Sequence, residues 1–300
     1  MIYTVTLNPA IDYNITLLEP LKSGVNRSQN ENVHFGGKGI NVSTVLTRLR
    51  VENTATGFIA GFTGKALKNS LALEGVKTNF FEVEGITRIN VKIKGENETE
   101  INGSGPFVNE QSLMELISYL KKANKEDTVV LSGSLPYSLK PDTYKRIIKE
   151  LKECGIKTVL DTSGEALKSA ISEGPFLIKP NLAELSFLLG KKLNTEKDVI
   201  DGAKMLQKFG AKNILVSMGA LGAILVLADG SVLREEAVKC EVVNTVGAGD
   251  SLLAGFLASI DTGASVREAL KTSVKIGSAT VTFDGLATKT ILQKIFNDKQ

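Results

Sequence analysis

The 300 residues carry 36 Lys+Arg against 33 Asp+Glu, a net charge of +3 that is spread along the chain. Basic residues that bind nucleic acid or a membrane surface gather into a stripe, so neither partner is expected. Two distant cysteines, Cys154 and Cys240, and a single histidine, His34, give no metal-ligand spacing, and no zinc site is expected.

The length suits one large α/β domain or two smaller ones. The first residues alternate like a strand with no basic, apolar leader, and no stretch approaches the ~18 uninterrupted apolar residues that span a bilayer. The cysteines read as free thiols of a reducing compartment, and the chain as cytoplasmic.

Residues 2–7 form the first predicted strand, ended by the turn signal Asn8-Pro9, with Asp12 three residues on. Open α/β sheets place ligands beyond the carboxyl ends of their strands, which makes this carboxylate a candidate. Short alternating runs at 13–18 and 25–33 flank the polar turn Lys22-Ser23-Gly24 and are expected outside the main sheet. Phe35-Gly36-Gly37-Lys38-Gly39-Ile40-Asn41-Val42-Ser43 then leads into Val45, Leu46 and Leu49, whose spacing is helical. Its glycines open a helix entrance beside the Lys38 ammonium and the Asn41 amide. Neither the P-loop nor the dinucleotide fingerprint fits: no Gly-Lys-Ser/Thr opens the helix, and no G-x-G-x-x-G follows the first strand.

A strand and turn at 55–62 and a helix at 66–73 follow. Strands at 79–83, 87–94 and 98–101, the last two joined by a tight turn at Gly95-Glu96-Asn97, are expected to combine with residues 13–34. The product is a small antiparallel sheet, a lid formed by insertions at about 12–34 and 79–104. Beyond Phe107, helices at 109–123, 141–154, 164–172, 182–189 and 199–209 alternate with strands at 128–131, 157–161, 176–179, 213–217 and 223–227. Such alternation calls for a mainly parallel sheet covered on both faces. Helices at 266–281 and 289–297 close a single domain over 1–300.

The densest signal is Asn244-Thr245-Val246-Gly247-Ala248-Gly249-Asp250-Ser251, which follows a β-type run at 238–243 and opens an Ala-, Leu- and Gly-rich buried helix. The first N–H groups of a helix lack partners, and the peptide dipoles place about half a positive charge there. Gly247, Ala248 and Gly249 leave room for a phosphate to reach those groups. Asp250 would repel that phosphate unless it accepts a proton from a nucleophile attacking it. The alternative is that Asp250 only complements the helix dipole. Loops at Asp12, 132–134, 179–184, 217–222 and 247–250 each follow a strand and can converge at one sheet edge.

These two glycine-rich segments, some two hundred residues apart, resemble the signature segments of the ribokinase/pfkB-type carbohydrate kinases. The resemblance covers essentially the whole chain. It implies a three-layer α/β sandwich with a mainly parallel central sheet and a small β-sheet lid, using ATP and Mg²⁺. By position it implies that Asp250 takes the proton of a sugar hydroxyl, that Gly247, Ala248 and Gly249 hold the transferring phosphate, and that Thr245 and Ser251 serve the nucleotide. Asn181 and Glu184 match an Asn-x-x-Glu motif, with Glu184 organising Mg²⁺ through water and Lys179 near the ATP phosphates. Ser217, Gly219 and Gly222 match the nucleotide loop, and Asp12, Gly37, Lys38 and Asn41 the sugar end. Asn181 also reads as a helix N-cap, Glu184 as a first-turn acid and His34 as a lid residue. Arg50 departs from the pattern, standing where the family usually places a glycine.

Thr6-Leu7-Asn8-Pro9-Ala10-Ile11-Asp12, Ser132-Gly133-Ser134-Leu135-Pro136 and Thr87-Arg88-Ile89-Asn90-Val91-Lys92 resemble the branch that phosphorylates ketohexose monophosphates. The Arg-Ile-Asn-Val run is more similar to 1-phosphofructokinases than to tagatose-6-phosphate kinases. The implied reaction is phosphorylation of fructose 1-phosphate at C6, with tagatose 6-phosphate or an unphosphorylated sugar as alternatives. A substrate already bearing phosphate needs cations away from the base. Arg88, Lys38 and Arg27 suit that need, with Asn90 and Ser134 alongside, and an exposed lid charge is the alternative for Arg27. A lid with one apolar face invites a second copy, hence a homodimer through the lid. A nucleotide-binding oxidoreductase would carry the missing dinucleotide fingerprint, and a catalytically silent sugar sensor would lack Asp250.

Overall fold

The computed structural model describes residues 1–96 and 98–298. Asn97, the last residue of the expected Gly95-Glu96-Asn97 turn, lies outside the described residues. The chain begins at the centre of its main sheet with β1 (Ile2–Thr6) and leaves it at once through β2 (Ala10–Leu17) and β3 (Ser28–Gly36). It returns by α1 (Lys38–Arg48), β4 (Asn53–Ile59), α2 (Gly61–Leu73) and β5 (Thr78–Glu82). A second excursion makes β6 (Arg88–Lys94) and β7 (Thr99–Asn102).

From there helix and strand alternate as expected: α3 (Glu110–Leu120), β8 (Thr128–Ser132), α4 (Thr143–Glu153), β9 (Lys157–Asp161), α5 (Gly164–Ala170) and β10 (Leu177–Ile178). Then come α6 (Leu182–Leu189), α7 (Glu196–Lys208), β11 (Asn213–Ser217), β12 (Ala223–Val226) and β13 (Val232–Glu235). The chain closes with α8 (Ala248–Asp261), α9 (Val266–Thr280) and α10 (Lys289–Asn297).

Among the described residues, nine strands form the main sheet in the order β13-β12-β11-β10-β9-β8-β1-β4-β5, all running in one sense except β12, which is antiparallel to both of its neighbours. Its strands are apolar on both faces. Val129 and Leu131 pack with α3 and α4, whereas Val130 between them packs with α1, α8 and α9. Helices on both sides therefore bury the central strands and leave the edge strands β5 and β13 partly exposed, which is the three-layer arrangement. No helix among the described residues is long and apolar enough to cross a membrane.

The small sheet has the order β3-β2-β6-β7 and differs from expectation in two ways. It is not wholly antiparallel, because β2 and β6 run parallel. The strand expected over 79–83 is not in it. β5 joins β4 in parallel at the edge of the main sheet, because both of its faces are apolar: Phe80 packs with the Ile40 and Leu67 cluster and Phe81 with the large core on the other side. Asp12 lies inside lid strand β2, opposite His34 and Asn90, and not in a loop after β1.

The β-type run at 238–243 is not a strand. β13, which the sequence pattern did not reveal, takes the sheet edge, and the chain then runs along α9: Val238 N–H donates to Ser278 Oγ at 3.1 Å and Val243 N–H to Val281 O at 2.8 Å. Its valines wall a cleft, so their apolar character has another cause than sheet pairing.

Arg50 holds the left-handed conformation at φ 62°, the one non-glycine residue with positive φ among those described. Arg50 N–H donates to Thr47 O and Val51 N–H to Leu46 O, a paired helix-ending turn. The same turn closes α2 with Gly75 in the equivalent place. An L side chain there costs about 1–2 kcal/mol. Arg50→Gly is therefore expected to stabilise the fold by roughly 0.5–1 kcal/mol after the entropy glycine adds to the unfolded chain. Urea unfolding checks this, and a lowered midpoint would contradict it.

Candidate active site

The order of the main sheet reverses at β1, whose neighbours β4 and β8 lie on opposite sides. Such a reversal leaves a crevice beyond the carboxyl ends of the strands. A cleft of about 940 Å³ occupies it, bounded by the lid on one side and by the α8 entrance and residues 237–242 on the other. Four buried polar atoms lie at these strand ends without a hydrogen-bond partner among the described residues: Thr6 Oγ1, Asn8 Oδ1, Ser132 Oγ and Asp161 Oδ2. Buried polar groups are rarely left so, and of these residues Thr6 and Asn8 line the cleft.

Asp250 stands in the first turn of α8, a helix with no side-chain cap, and is only 7% exposed. Gly247, at φ 78°, makes the left-handed turn that starts the helix. A methyl group on Gly249 would come 3.3 Å from Lys179 Nζ, so the bare backbone lets the ammonium approach the helix entrance. One Asp250 oxygen accepts from Asn41 Nδ2 at 2.7 Å, joining the two glycine-rich segments 209 residues apart. Burial, reinforced by Asp161 nearby, pushes the Asp250 carboxyl up to about 6 against the pull of Lys179, Lys38 and the Asn41 hydrogen bond. At pH 7 the group is mostly ionised and still basic enough to hold a proton.

Asp161, at the end of β9, is fully buried, and one of its oxygens lies 3.0 Å from Lys38 Nζ and 3.3 Å from Lys179 Nζ. Sequence reasoning read it only as a strand end. Its sole signal was a carboxylate at a strand terminus, the same feature that singled out Asp12. Lys38, expected with the sugar, borders the same cleft and has two carboxylate neighbours. From the first turn of α1 its side chain reaches across to Asp161, and Glu184 Oε1 is 3.6 Å away. Burial alone would lower the Lys38 ammonium, but Asp161, Glu184 and Asp250 outweigh it and hold the group above its ordinary value.

Asn181 caps α6: Asn181 Oδ1 accepts from Glu184 N–H at 2.8 Å, and Glu184 Oε2 accepts from Asn181 N–H at 2.9 Å. The capping box spends one Glu184 oxygen on the backbone and leaves Oε1 facing Lys38. Ser217, Gly219 and Gly222 border the far end of the cleft, and Thr245 borders it beside the glycine turn. Ser251 does not. One residue on from Asp250, it is turned about 100° around the helix, fully buried, and its hydroxyl accepts from Thr280 Oγ1 at 2.9 Å.

At the lid end, Asp12 accepts from Asn90 Nδ2 at 2.7 Å and has Lys92 Nζ at 3.8 Å. Arg88 donates from Nε to Asn8 O at 3.1 Å and from Nη1 to Gly103 O at 3.5 Å. Burial draws its guanidinium down and Asp12 opposes that. Gly37 and Ser134 border the same end. Arg27 does not reach the cleft. It lies exposed beyond the Leu17–Ser28 pair, five residues and ~17 Å along the strands from Asp12.

The sequence profile described as "pfkB family carbohydrate kinase" matches residues 5–292. The chain is 42% identical to a 1-phosphofructokinase of Bacillus subtilis over 98% of this chain and 97% of that one. It is 40% identical to a D-tagatose-1-phosphate kinase of Bacillus licheniformis over 95% and 94%. Its structure superposes on phosphofructokinase-2 of Escherichia coli, solved in complex with fructose 6-phosphate, with a TM-score of 0.89 at 30% identity, covering 99% of this chain and 98% of that one.

Proposed function

Because this chain belongs to the pfkB family of carbohydrate kinases, we propose that it transfers the γ-phosphoryl group of ATP to the C6 hydroxyl of fructose 1-phosphate, giving fructose 1,6-bisphosphate and ADP. The observation that carries this reading is a buried Asp250 poised near pH 6 at a bare helix entrance, between two ammonium groups and a lid lined with polar residues.

In this reading the phosphate chain lies along Ser217, Gly219 and Gly222 to the entrance formed by Gly247, Ala248 and Gly249. The N–H groups there and the Lys38 and Lys179 ammoniums hold the transferring group as its charge spreads. Asp250 accepts the hydroxyl proton on the other side. Mg²⁺ asks for one or two carboxylates with water and phosphate oxygens. Glu184, whose Oε1 the capping box leaves off the backbone, would meet that demand through water, and the ion would neutralise charge on the transferring phosphates. Asp12 and Asn90 hold sugar hydroxyls, and closure of the lid keeps water from competing as acceptor.

The phosphate of the sugar falls to Arg88 and Ser134. With Nε and Nη1 on backbone carbonyls, Arg88 keeps Nη2 for a phosphate oxygen. Arg88→Lys, which loses the fork but keeps the charge, is expected to lower kcat/KM for fructose 1-phosphate by about 2 kcal/mol, roughly thirtyfold, and for unphosphorylated fructose by far less. Equal losses on both sugars would remove Arg88 from the phosphate site.

The deciding experiment measures ADP release with fructose 1-phosphate, tagatose 1-phosphate, tagatose 6-phosphate, fructose 6-phosphate and fructose. The expected order puts fructose 1-phosphate first, and a preference for any 6-phosphate or for free fructose overturns the assignment. Tagatose 1-phosphate, its epimer at C4, presents the same phosphate and the same C6 hydroxyl, and it is the reading that the Bacillus licheniformis relative favours. The lid exposes Leu18, Val25, Val33 and Ile101, which suits a homodimer paired through its lids. Sedimentation should give twice the 32.1 kDa of one chain.

A further inference from the structure

Residues 284–286, in the loop between α9 and α10, touch both the lid and the α8 entrance. On the lid side, Asn32 of β3 donates from Nδ2 to Asp284 Oδ2 at 3.1 Å, and the His34 ring packs 3.7 Å from where a methyl group on Gly285 would stand. The same Asn32 amide meets His34 Nε2 at 3.0 Å. On the other side, Asn244 donates from Nδ2 to Asp284 Oδ1 at 3.2 Å, and its Oδ1 accepts from Val246 N–H at 2.9 Å, inside the turn that leads to Gly247. Leu286 packs against Gly247 so closely that a methyl group there would meet it at 2.7 Å. Arg48 fastens the segment from behind, donating from Nη1 to the carbonyls of Leu286 and Ala287 at 3.0 and 2.8 Å.

One carboxylate thus has an oxygen on each partner: Oδ2 on the lid, Oδ1 on the turn that would hold the γ-phosphate. We infer that Asp284 is a positioning residue which ties the place of lid strand β3 to the shape of the glycine turn, so that the turn is correctly formed when the lid is seated over sugar. This rests on the kinase reading above. The physical ground is that phosphoryl transfer depends on placement, where an error of about 1 Å costs ~10²-fold, and that two hydrogen bonds to one carboxylate, exposed though it is, couple the groups they hold. Neither Asn32 nor Asp284 touches the cleft, so neither acts on substrate directly.

Asp284→Asn keeps an oxygen for Asn244 and turns a second donor against Asn32. Asn32→Asp restores an acceptor–donor pair with the order reversed. Each single substitution is expected to lower kcat about tenfold with little change in KM for ATP, and to raise the ratio of ATP hydrolysis to sugar phosphorylation. The double substitution should return both quantities to within about threefold of the original. A role confined to holding the fold would lower the urea midpoint of each single variant and leave kcat of the folded protein unchanged.

Hydrogen exchange of the 244–250 amides, followed without any substrate, gives the second arm. Faster exchange in Asn32→Ala, whose change lies in the lid, is the expected result. Unchanged exchange there, or additive losses in the double variant, overturns the tie. If the unaltered protein phosphorylates no sugar phosphate, the kinase reading fails, while the exchange arm still decides whether lid and turn are joined.

Discussion

Asp250→Asn is expected to reduce turnover by ~10²–10⁴-fold while ATP affinity changes little, the signature of a lost proton acceptor. The same change should make the protein more stable at neutral pH. Burial and Asp161 hold the folded carboxyl near 6, above the ordinary 3.8 of an aspartate. The folded state therefore binds this proton more tightly than the unfolded one, and stability falls as pH rises from about 4 to about 6. Above 6 the ionised group costs up to about 3 kcal/mol, which an amide removes without losing the acceptor for Asn41. The gain in unfolding temperature should thus be full at pH 7.5 and shrink below pH 6. In the unaltered protein kcat/KM should rise with pH to about 6 and then level. Near-normal turnover in the asparagine variant, or a stability gain larger at pH 4.5 than at 7.5, would contradict the assignment.

The second large effect belongs to Asp161→Ala. Lys179 is 4% exposed, and Asp161 is the carboxylate within ion-pair distance of it. Removing one member of a buried pair leaves the other charged without compensation, at about 3–5 kcal/mol. Lys38 suffers less because Glu184 remains 3.6 Å away. The Asp250 carboxyl also loses a repulsive neighbour and keeps both ammoniums, so its titration should move to lower pH and the acid limb of the rate profile with it. Urea unfolding and a pH–rate series on the variant measure the two effects. An unchanged midpoint, or an acid limb displaced upward, would show that the cluster is organised otherwise.

Much of the architecture follows from local pattern. The alternation after Phe107 predicts strands at 157–161 and 213–217 and helices at 182–189 and 289–297, which the structure has at the same residues. Exceptions lie where one pattern serves two purposes. The valines around 238–243 alternate like a strand, yet wall a cleft. The strand at 79–83 has the length and polarity of a lid strand, yet two phenylalanines bury it in the main sheet.

The candidate site divides the same way. Its helix entrances, glycine turns and the Asn181 N-cap were legible because each is completed within a few residues, where backbone dihedrals and unpaired N–H groups decide the outcome. Asp250 was legible because it stands inside such an entrance.

What the sequence by itself determined is therefore the kind of element, the two bare helix entrances and the residue types gathered at them. Only the tertiary structure decided that Lys38 pairs with Asp161, that Ser251 faces inward to Thr280, that Arg27 stays at the far end of the lid, and that Asp284 reaches both lid and turn. The reason is physical. A dihedral preference acts on one residue and a helix cap on four, but the partner of a charge 123 residues away depends on which strands lie side by side, and that is settled by burying two faces of one sheet at once.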